Sequence, residues 1–322
     1  MDTRTALKNN TLLKFDQYNQ YIINKEIGRG ATSIVYDASY TNNTGNKKTV
    51  RIKECYPFKL DIQRTDSGKL ITNEQEAFNE YKEKMIHAFK ISNQLFEIDG
   101  LTNSVSNTID IYETNNTIYI VSTYLQGETL NYDNVHSIKE CISIIKSTAK
   151  AILKIHNHGY LYLDIKPGNI YMIEGTTEII QLFDFDSLIP INQLNEDFKI
   201  SYTKGFAPLE QQLGQIKRIG KHSDVYGIGS LLFYLLFKRT PTALDCGYGA
   251  RYDYSLSQFD EHTYQDCLFY ELSDFFHKTL ANYYPDRYQD LSQLILKLDK
   301  IEKYADQTIP FILSSYVSKP TL

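Results

Sequence analysis

The sequence lacks closely spaced cysteines. Its four cysteines, Cys55, Cys141, Cys246 and Cys267, are far apart, and no two of them form a Cys-x-x-Cys pair. This spacing argues against a zinc site built from neighbouring cysteines. It favours reduced thiols that are buried or partly buried in a cytosolic protein.

A long apolar run, a hydrophobic leader and a cluster of basic residues are also missing. The longest apolar stretch, residues 225–237, is shorter than the ~20 residues that a membrane-spanning helix needs. Residues 1–4 lack the apolar region of a secretory signal. The formal net charge of -5 argues against a dedicated binder of nucleic acid or anionic membranes. We therefore expect a cytoplasmic protein with no membrane span and no nucleic-acid partner.

The residues that are present form two different patterns along the chain. Its 322 residues exceed what one small core usually holds, so two lobes are expected. Strand patterns fill residues 21–53 and return at 109–121, on both sides of a hairpin signal at Asn115 and Asn116. Between them, residues 55–72 are predicted to form an irregular insertion, and residues 73–99 have helical spacing.

The second part of the sequence is predicted to be helical. Ser137 and Glu140 fit a capping box, in which each side chain satisfies a free backbone amide at a helix start. Residues 225–237 are apolar on all sides, which predicts a helix enclosed by protein. Residues 271–298 supply further helical spacing. A β-rich first part followed by a helical second part predicts an α+β fold with segregated lobes.

A glycine-rich segment precedes a lysine at the end of a strand. Residues 27–35 read Ile-Gly-Arg-Gly-Ala-Thr-Ser-Ile-Val, and glycines allow a backbone to approach a polyphosphate closely. The same pair of glycines is also compatible with an ordinary turn, and it is not a Walker loop. Lys53 follows Gly28 by 25 residues. Its ammonium group could extend along the strand edge into solvent or pair with phosphate oxygens.

Two polar segments carry the remaining chemistry. In the first, Asp164 could accept a hydroxyl proton, Lys166 could neutralise phosphoryl charge, and Asn169 could hold a metal. Twenty residues after Asp164, the predicted strand 179–183 leads to Asp184 and places its carboxylate at the strand end, as a Mg²⁺ ligand would require. Taken alone, each segment could instead be a polar turn or the end of a strand.

The order of these elements resembles the protein kinase superfamily, in particular bacterial eukaryotic-like Ser/Thr protein kinases. The signature set comprises a glycine loop, a strand lysine, Asp-x-Lys-Pro-x-Asn and Asp-Phe-x. Residues 207–210 resemble the Ala-Pro-Glu element, Asp224 resembles the Asp of the central helix, and Arg287 resembles the partner of Glu210. Residues 53–57, Lys-Glu-Cys-Tyr-Pro, are also similar to a segment of bacterial kinases.

The resemblance implies an enzyme that uses ATP and Mg²⁺ and acts on a protein substrate. Asp164 would be the catalytic base, Lys166 would meet the γ-phosphate, and Asn169 and Asp184 would hold the metal. Lys53 would bind the α- and β-phosphates. The other implied nucleotide contacts are Ile27, Gly28, Gly30, Ser33, Val35, Ser122 as the gatekeeper, and Thr123 and Leu125 in the hinge.

The sequence departs from the family pattern at several positions. Leu163 replaces the Arg that binds a phosphorylated activation loop, and Asp186 replaces the Gly after Asp-Phe. Arg51 replaces the Ala above the adenine, where a cation would either clash or stack on the ring. No acidic residue stands at 91–93, where the helical partner of Lys53 is expected; Glu97 is one turn further on. Thr203 matches the Thr that contacts the catalytic Asp and Lys.

The expected architecture is bilobal. Residues 1–20 would be an N-terminal extension or a short helix, and residues 304–322 a C-terminal tail. The kinase domain would span 21–303, with an antiparallel N-lobe at 21–124 and a helical C-lobe at 125–303. Two alternatives stay open: a pseudokinase that acts as a nucleotide-binding or scaffold module, and a kinase-like phosphotransferase acting on small molecules.

Overall fold

A computed structural model describes residues 2–99, 108–123, 126–194, 200, 202–247, 249–260, 262 and 264–307. Leu125 and Ser201 lie outside these residues, as do the side chains of Glu97 and Asp186. The strands are β1 (Leu12–Lys14), β2 (Gln20–Arg29), β3 (Ser33–Thr41), β4 (Lys47–Cys55), β5 (Ile62–Arg64), β6 (Leu70–Thr72), β7 (Thr108–Thr114), β8 (Thr117–Thr123), β9 (Gly127–Thr129), β10 (Tyr160–Leu161), β11 (Ile170–Ile173), β12 (Ile180–Leu182) and β13 (Ile189–Pro190). The helices are α1 (Gln75–Asp99), α2 (Ile138–Asn157), α3 (Leu209–Gln212), α4 (Lys221–Phe237), α5 (Asp266–Thr279) and α6 (Leu291–Ala305).

Contacts divide the chain into two compact units. Unit 1 contains Met1–Leu130, Lys154–Tyr162 and Gly168–Gln193, and unit 2 contains Asn131–Leu153, Leu163–Pro167 and Leu194–Leu322. The predicted boundary near residue 124 differs from this division, because β11, β12 and β13 form small separate sheets that belong to unit 1. The Asp-x-Lys-Pro-x-Asn segment therefore passes from unit 2 to unit 1 between Pro167 and Gly168.

Unit 1 is built on a six-stranded antiparallel sheet with the order β1-β2-β3-β4-β8-β7. The predicted hairpin joins β7 to β8, and its turn residues Asn115 and Asn116 have positive φ values of 52° and 62°. Asn tolerates this left-handed backbone, and two such residues match the twist of the flanking strands. One face of the sheet buries Ile34, Tyr36 and Ile52, which belong to the core of this unit.

The N-terminal residues differ from the expected extension or short helix. Residues 12–14 form β1 and pair with β2, and the side chains of Leu7 and Leu13 are buried in the sheet core. The predicted insertion is also ordered locally, because β5 and β6 form a hairpin around Gly68, whose φ is +87°. The residues on both sides of the glycine-rich segment thus contribute to one continuous core.

Unit 2 is mainly helical. Helix α4 is buried on nearly all sides, as its apolar sequence predicts. Ser137 caps α2 through its hydroxyl, which accepts a bond of 3.1 Å from the Glu140 amide. The Glu140 carboxylate accepts from the His136 amide at 2.7 Å, so the reciprocal bond reaches one residue further back than predicted. Helix α6 ends at Ala305, beyond the predicted tail boundary, and residues 308–322 lie outside the described part.

Candidate active site

The sheet of unit 1 places four of the predicted nucleotide contacts, Gly28, Val35, Lys53 and Ser122, on one face. Val35 lies opposite both Gly28 and Lys53, and Arg51 lies opposite Ser122. Residues that oppose each other on antiparallel strands share a face, as do residues two apart on one strand. Gly28, Val35, Lys53, Arg51 and Ser122 therefore project from the same face, opposite to the buried core.

The other predicted contacts are arranged differently. Ile27 lies in a β-bulge between the paired residues Glu26 and Gly28, and its side chain is 40% exposed. Ser33 is buried next to the glycine-rich turn. Thr123 lies opposite Val50, on the other face from Ser122. A hinge contact from Thr123 would therefore use its backbone.

Lys53 forms an ion pair with the predicted metal ligand Asp184. The distance from Lys53 Nζ to Asp184 Oδ1 is 3.1 Å. Strands β11 and β12 are antiparallel and pair Ile170 with Leu182, and the Phe183 amide donates to the Asn169 carbonyl at 2.9 Å. This register brings Asn169 and Asp184 to the same end of the hairpin. Sequence reasoning sought the partner of Lys53 only among acidic residues of the helix.

The backbone around Asp184 is held by side chains within unit 1. Asp184 has a φ of +62°, an uncommon conformation for a residue other than Gly. The following turn contains Ser187, whose hydroxyl donates to the Tyr162 carbonyl at 3.1 Å and to the Asp184 carbonyl at 3.3 Å. The Tyr162 hydroxyl donates to the Phe183 carbonyl, and its ring meets that of buried Phe185 edge-on. Tyr162 thus supports the segment that carries Asp184.

Arg51 makes a contact that the sequence did not predict. Its guanidinium carbon lies 4.2 Å from the ring centroid of Tyr171 and 5.1 Å from that of Phe183. Tyr171 is buried on β11, two residues after Asn169, while Phe183 precedes Asp184. Such a stack attracts the cation to the aromatic faces. The sequence feature that could have predicted this contact is a Tyr two residues after the predicted metal-binding Asn.

Asp164, Lys166 and Thr203 form a hydrogen-bonded cluster in unit 2. Lys166 Nζ donates to Asp164 Oδ2 at 2.6 Å, and the Thr203 hydroxyl donates to Asp164 Oδ1 at 2.7 Å. Lys166 Nζ also lies 3.4 Å from Thr203 Oγ1. The contacts expected of Thr203 with the Asp and the Lys are confirmed. Each Asp164 carboxylate oxygen therefore accepts one hydrogen bond from within the cluster.

The backbone before Asp164 is strained and held in place. Leu163 has a φ of +60°, a conformation that costs roughly 1–2 kcal/mol for an L-residue with a side chain. Its amide donates to Asp224 Oδ1 at 2.7 Å, and its carbonyl accepts from Gln211 Nε2 at 2.8 Å. Asp224, predicted from its place in the central helix, therefore holds the peptide that precedes the candidate base.

Unit 2 also contains a buried ion pair. Arg287 donates to both carboxylate oxygens of Glu210, at 2.7 and 3.1 Å, and both side chains are almost fully buried. The Ser223 hydroxyl donates to the same carboxylate at 3.0 Å. The predicted pairing of Glu210 with Arg287 is confirmed.

Lys53, Asp184 and Asn169 fit a magnesium–phosphate group. Asp184 and Asn169 offer carboxylate and amide oxygens, which Mg²⁺ prefers, and Lys53 supplies a neighbouring cation. No group of three or more His, Cys, Asp and Glu side chains in the described residues could hold a metal. Mg²⁺ is commonly held by one or two protein carboxylates together with substrate phosphates, so a site of this kind does not require such a group. A base could stack on Tyr171 only after Arg51 moves.

Comparisons with known proteins agree with this geometry. The protein kinase domain model matches residues 21–300. Serine/threonine-protein kinase D of Synechocystis sp. is 25% identical over 230 residues, which are 69% of this chain and 42% of the relative. Serine/threonine-protein kinase B of the same organism is 26% identical over 185 residues, which are 50% of this chain and 31% of the relative. Serine/threonine-protein kinase PknB of Mycobacterium tuberculosis is 25% identical over 206 residues, which are 61% of this chain and 32% of the relative.

The chain spans less than half the length of these curated relatives. A solved structure, the apo form of PpkA-294, supports the fold: it covers 91% of this chain and 100% of its own length, with a TM-score of 0.64 and 23% identity. No helix of the described residues combines the length and apolar character needed to span a membrane. Since the family model matches most of the sequence, the chain belongs to the protein kinase domain family.

Proposed function

We propose that this chain transfers the γ-phosphoryl group of ATP, in the presence of Mg²⁺, to Ser or Thr hydroxyls of protein substrates. The names of its bacterial relatives, serine/threonine-protein kinases, support this substrate class. The observation that carries the proposal is the bond from the Thr203 hydroxyl to Asp164 Oδ1 at 2.7 Å. It is the kind of contact that a general base makes with a hydroxyl before accepting its proton.

Each of the site residues has a separate role in the proposed reaction. Asp164 accepts the proton of the attacking hydroxyl, and Lys166 offsets negative charge that develops on the transferred group. Lys53 and the glycine-rich segment bind the phosphates of the donor, and Asp184 and Asn169 hold the metal. Mg²⁺, when bound, neutralises phosphate charge. None of the four cysteines forms a disulfide in the described residues, which supports a cytoplasmic site of action.

The test is phosphotransfer from labelled ATP with Mg²⁺ to casein, followed by identification of the labelled amino acids. We expect phosphoserine or phosphothreonine, and Asp164→Ala should lower the rate by about 10²–10⁴-fold, the usual contribution of a general base. Asp133→Ala is the matched control, because Asp133 is exposed in the same unit and only loosely paired with Lys238 at 3.6 Å.

Three results would overturn the proposal in different ways. Nucleotide binding without transfer would assign the chain to the pseudokinases. Transfer to small molecules and to no protein would favour the small-molecule alternative. Full activity of Asp164→Ala would remove Asp164 from the role of base.

A further inference from the structure

In the glycine-rich turn, residues 30–33, every carbonyl group accepts a hydrogen bond. The Gly30 carbonyl accepts from Arg4 at 2.9 Å, the Ala31 carbonyl from the Phe58 amide at 3.0 Å, and the Thr32 carbonyl from the Tyr56 amide at 2.9 Å. The Ser33 carbonyl accepts from the Gly30 amide at 2.9 Å and from Arg4 at 3.3 Å. Four consecutive carbonyls of the turn are thus fixed by partners within unit 1.

This arrangement determines where the amide groups point. In a trans peptide the carbonyl of one residue and the N–H of the next point in opposite directions. Bonds to the carbonyls of residues 30–32 therefore direct the amides of residues 31–33 away from Arg4, Tyr56 and Phe58. Successive amides with a common direction attract anions such as phosphate.

Arg4 is itself firmly held. Its side chain is only 5% exposed, and Asp2 accepts from its guanidinium at 2.6, 3.0 and 3.2 Å. A further bond runs from Arg4 to the Tyr56 carbonyl. Arg29, next to Gly30, donates to the Arg4 carbonyl at 2.8 Å. The hydrogen bond from Arg4 contributes most to lowering the pKa of Asp2, so the carboxylate stays ionised as its partner.

Residues 53–57, Lys-Glu-Cys-Tyr-Pro, hold the Tyr56–Phe58 side of the turn in place. Lys53 is the member of this segment that belongs to the candidate active site. The buried Glu54 carboxylate accepts from Arg64 at 2.6 Å and from the hydroxyls of Tyr36 and Tyr119 at 2.7 Å each. Burial, and next the Glu54 charge, raise the pKa of both tyrosines, so their hydroxyls remain donors.

The same cluster binds the N-terminal residues. Arg64 donates to the Thr5 carbonyl at 2.7 Å, and the Leu7 amide donates to the Tyr36 hydroxyl at 3.1 Å. Residues 2–7, here named the N-terminal clasp, are therefore attached both to the Glu54 cluster and to the glycine-rich turn. The clasp lies outside the match to the kinase family, which begins at residue 21.

We propose that Arg4 is a positioning residue for nucleotide binding: it fixes the carbonyls of Gly30 and Ser33 so that the turn presents its amides to the phosphates. The inference deepens the proposed function, because it assumes that the turn binds a nucleotide. Arg4 itself makes no contact with a substrate in this role. The clasp and the Tyr56–Phe58 segment together hold the turn in its binding conformation before the nucleotide arrives.

The test compares Arg4→Ala, Arg4→Lys and the control Lys8→Ala in the full chain. Lys8 is an exposed cation just beyond the clasp. Hydrogen exchange of the Gly30, Tyr56 and Phe58 amides in the nucleotide-free protein measures the order of the turn. Calorimetric ATP binding with Mg²⁺, and KM and kcat, report the consequence. Denaturant unfolding of each variant shows whether the fold is intact.

We expect Arg4→Ala to exchange these three amides roughly tenfold faster and to raise the dissociation constant and the KM for ATP by a similar factor, the scale of losing bonds to a charged donor. The kcat at saturating ATP should change less than about twofold, since the catalytic cluster of unit 2 is untouched. Arg4→Lys should restore part of the effect, because it keeps the charge but not the forked donors. Lys8→Ala should behave like the wild type.

Wild-type exchange and ATP affinity in Arg4→Ala would overturn the inference. If the wild type binds no ATP, the proposed function fails, while the exchange data still decide whether Arg4 orders the turn. If Arg4→Ala does not fold, Asp2→Asn replaces it, because Asp2 is partly exposed and pairs with Arg4 and Arg29. An unchanged turn and unchanged affinity in Asp2→Asn would then count against the proposal.

Discussion

The hydroxyl of Thr203 bonds to one charged group of the catalytic cluster and lies close to the other. It donates to Asp164 at 2.7 Å and lies 3.4 Å from Lys166 Nζ. A phosphate on this oxygen would place negative charge beside the Asp164 carboxylate, which repels it. Because Leu163 replaces the Arg that would read such a phosphate, the described residues favour a structural role for Thr203.

We predict that Thr203→Ala lowers kcat by about 10- to 100-fold, the equivalent of a lost hydrogen bond to a charged group. Thr203→Ser keeps the hydroxyl and should stay within about threefold of the wild type. Steady-state kinetics on phosphatase-treated protein provide the measurement. Thr203→Asp completes the set: activation by this substitution, or activity that appears only after phosphorylation, would contradict the structural role.

The side chain of Arg51 limits the access of a nucleotide base to the sheet face. A base that stacks on Tyr171 needs the space that the guanidinium now fills at 4.2 Å from the ring centroid. Moving the cation off the ring costs about 0.5–2 kcal/mol. This cost is part of the free energy of nucleotide binding in the wild type.

We therefore predict that Arg51→Ala binds ATP more tightly, by up to about 30-fold, the equivalent of ~2 kcal/mol. Calorimetric titration with ATP and Mg²⁺ measures the change, and Lys48→Ala, an exposed cation on the same strand, is the control. Weaker binding in Arg51→Ala would mean that the guanidinium stacks on the base instead of blocking it.

At the scale of elements, local sequence signals predicted those structures whose cause is local. The paired asparagines of the β7–β8 turn and the all-apolar helix α4 formed as expected, because backbone preference and hydrophobic content determine them directly. Strand β1 was missed, since three residues contain too little pattern to identify a strand. Its pairing with β2 depends on contacts that only the folded sheet supplies.

The candidate site shows the same limit. The order and spacing of Lys53, Asp164, Asn169 and Asp184 match the family motif, which assigns a chemical role to each position, and these roles stay predictions. The contacts of Arg4 and Arg51 were not predictable from the sequence. Arginines are seldom buried, and the groups that satisfy these two are backbone carbonyls and aromatic rings supplied by distant strands.

At the scale of the whole molecule, the ion pair of Glu210 and Arg287 joins residues 77 positions apart in unit 2. Arg287 also donates to the Ala281 carbonyl at 2.7 Å, and Glu210 accepts from Ser223 of helix α4. The pair therefore ties α3 and α4 to the segment before α6. Removing one partner leaves the other charge buried and uncompensated, which is the costly way to break such a pair.

We predict that Glu210→Ala lowers the free energy of unfolding by about 3–5 kcal/mol, whereas the neighbouring exposed Asp286→Ala changes it by less than about 0.5 kcal/mol. Glu210→Leu combined with Arg287→Met should cost less than the sum of the two single changes, because no isolated charge remains. The chain has no Trp, so circular dichroism in denaturant follows the transition. Additive losses in the double variant would show that the two charges stabilise unit 2 independently, through Ser223 and the Ala281 carbonyl, and that their pairing contributes nothing.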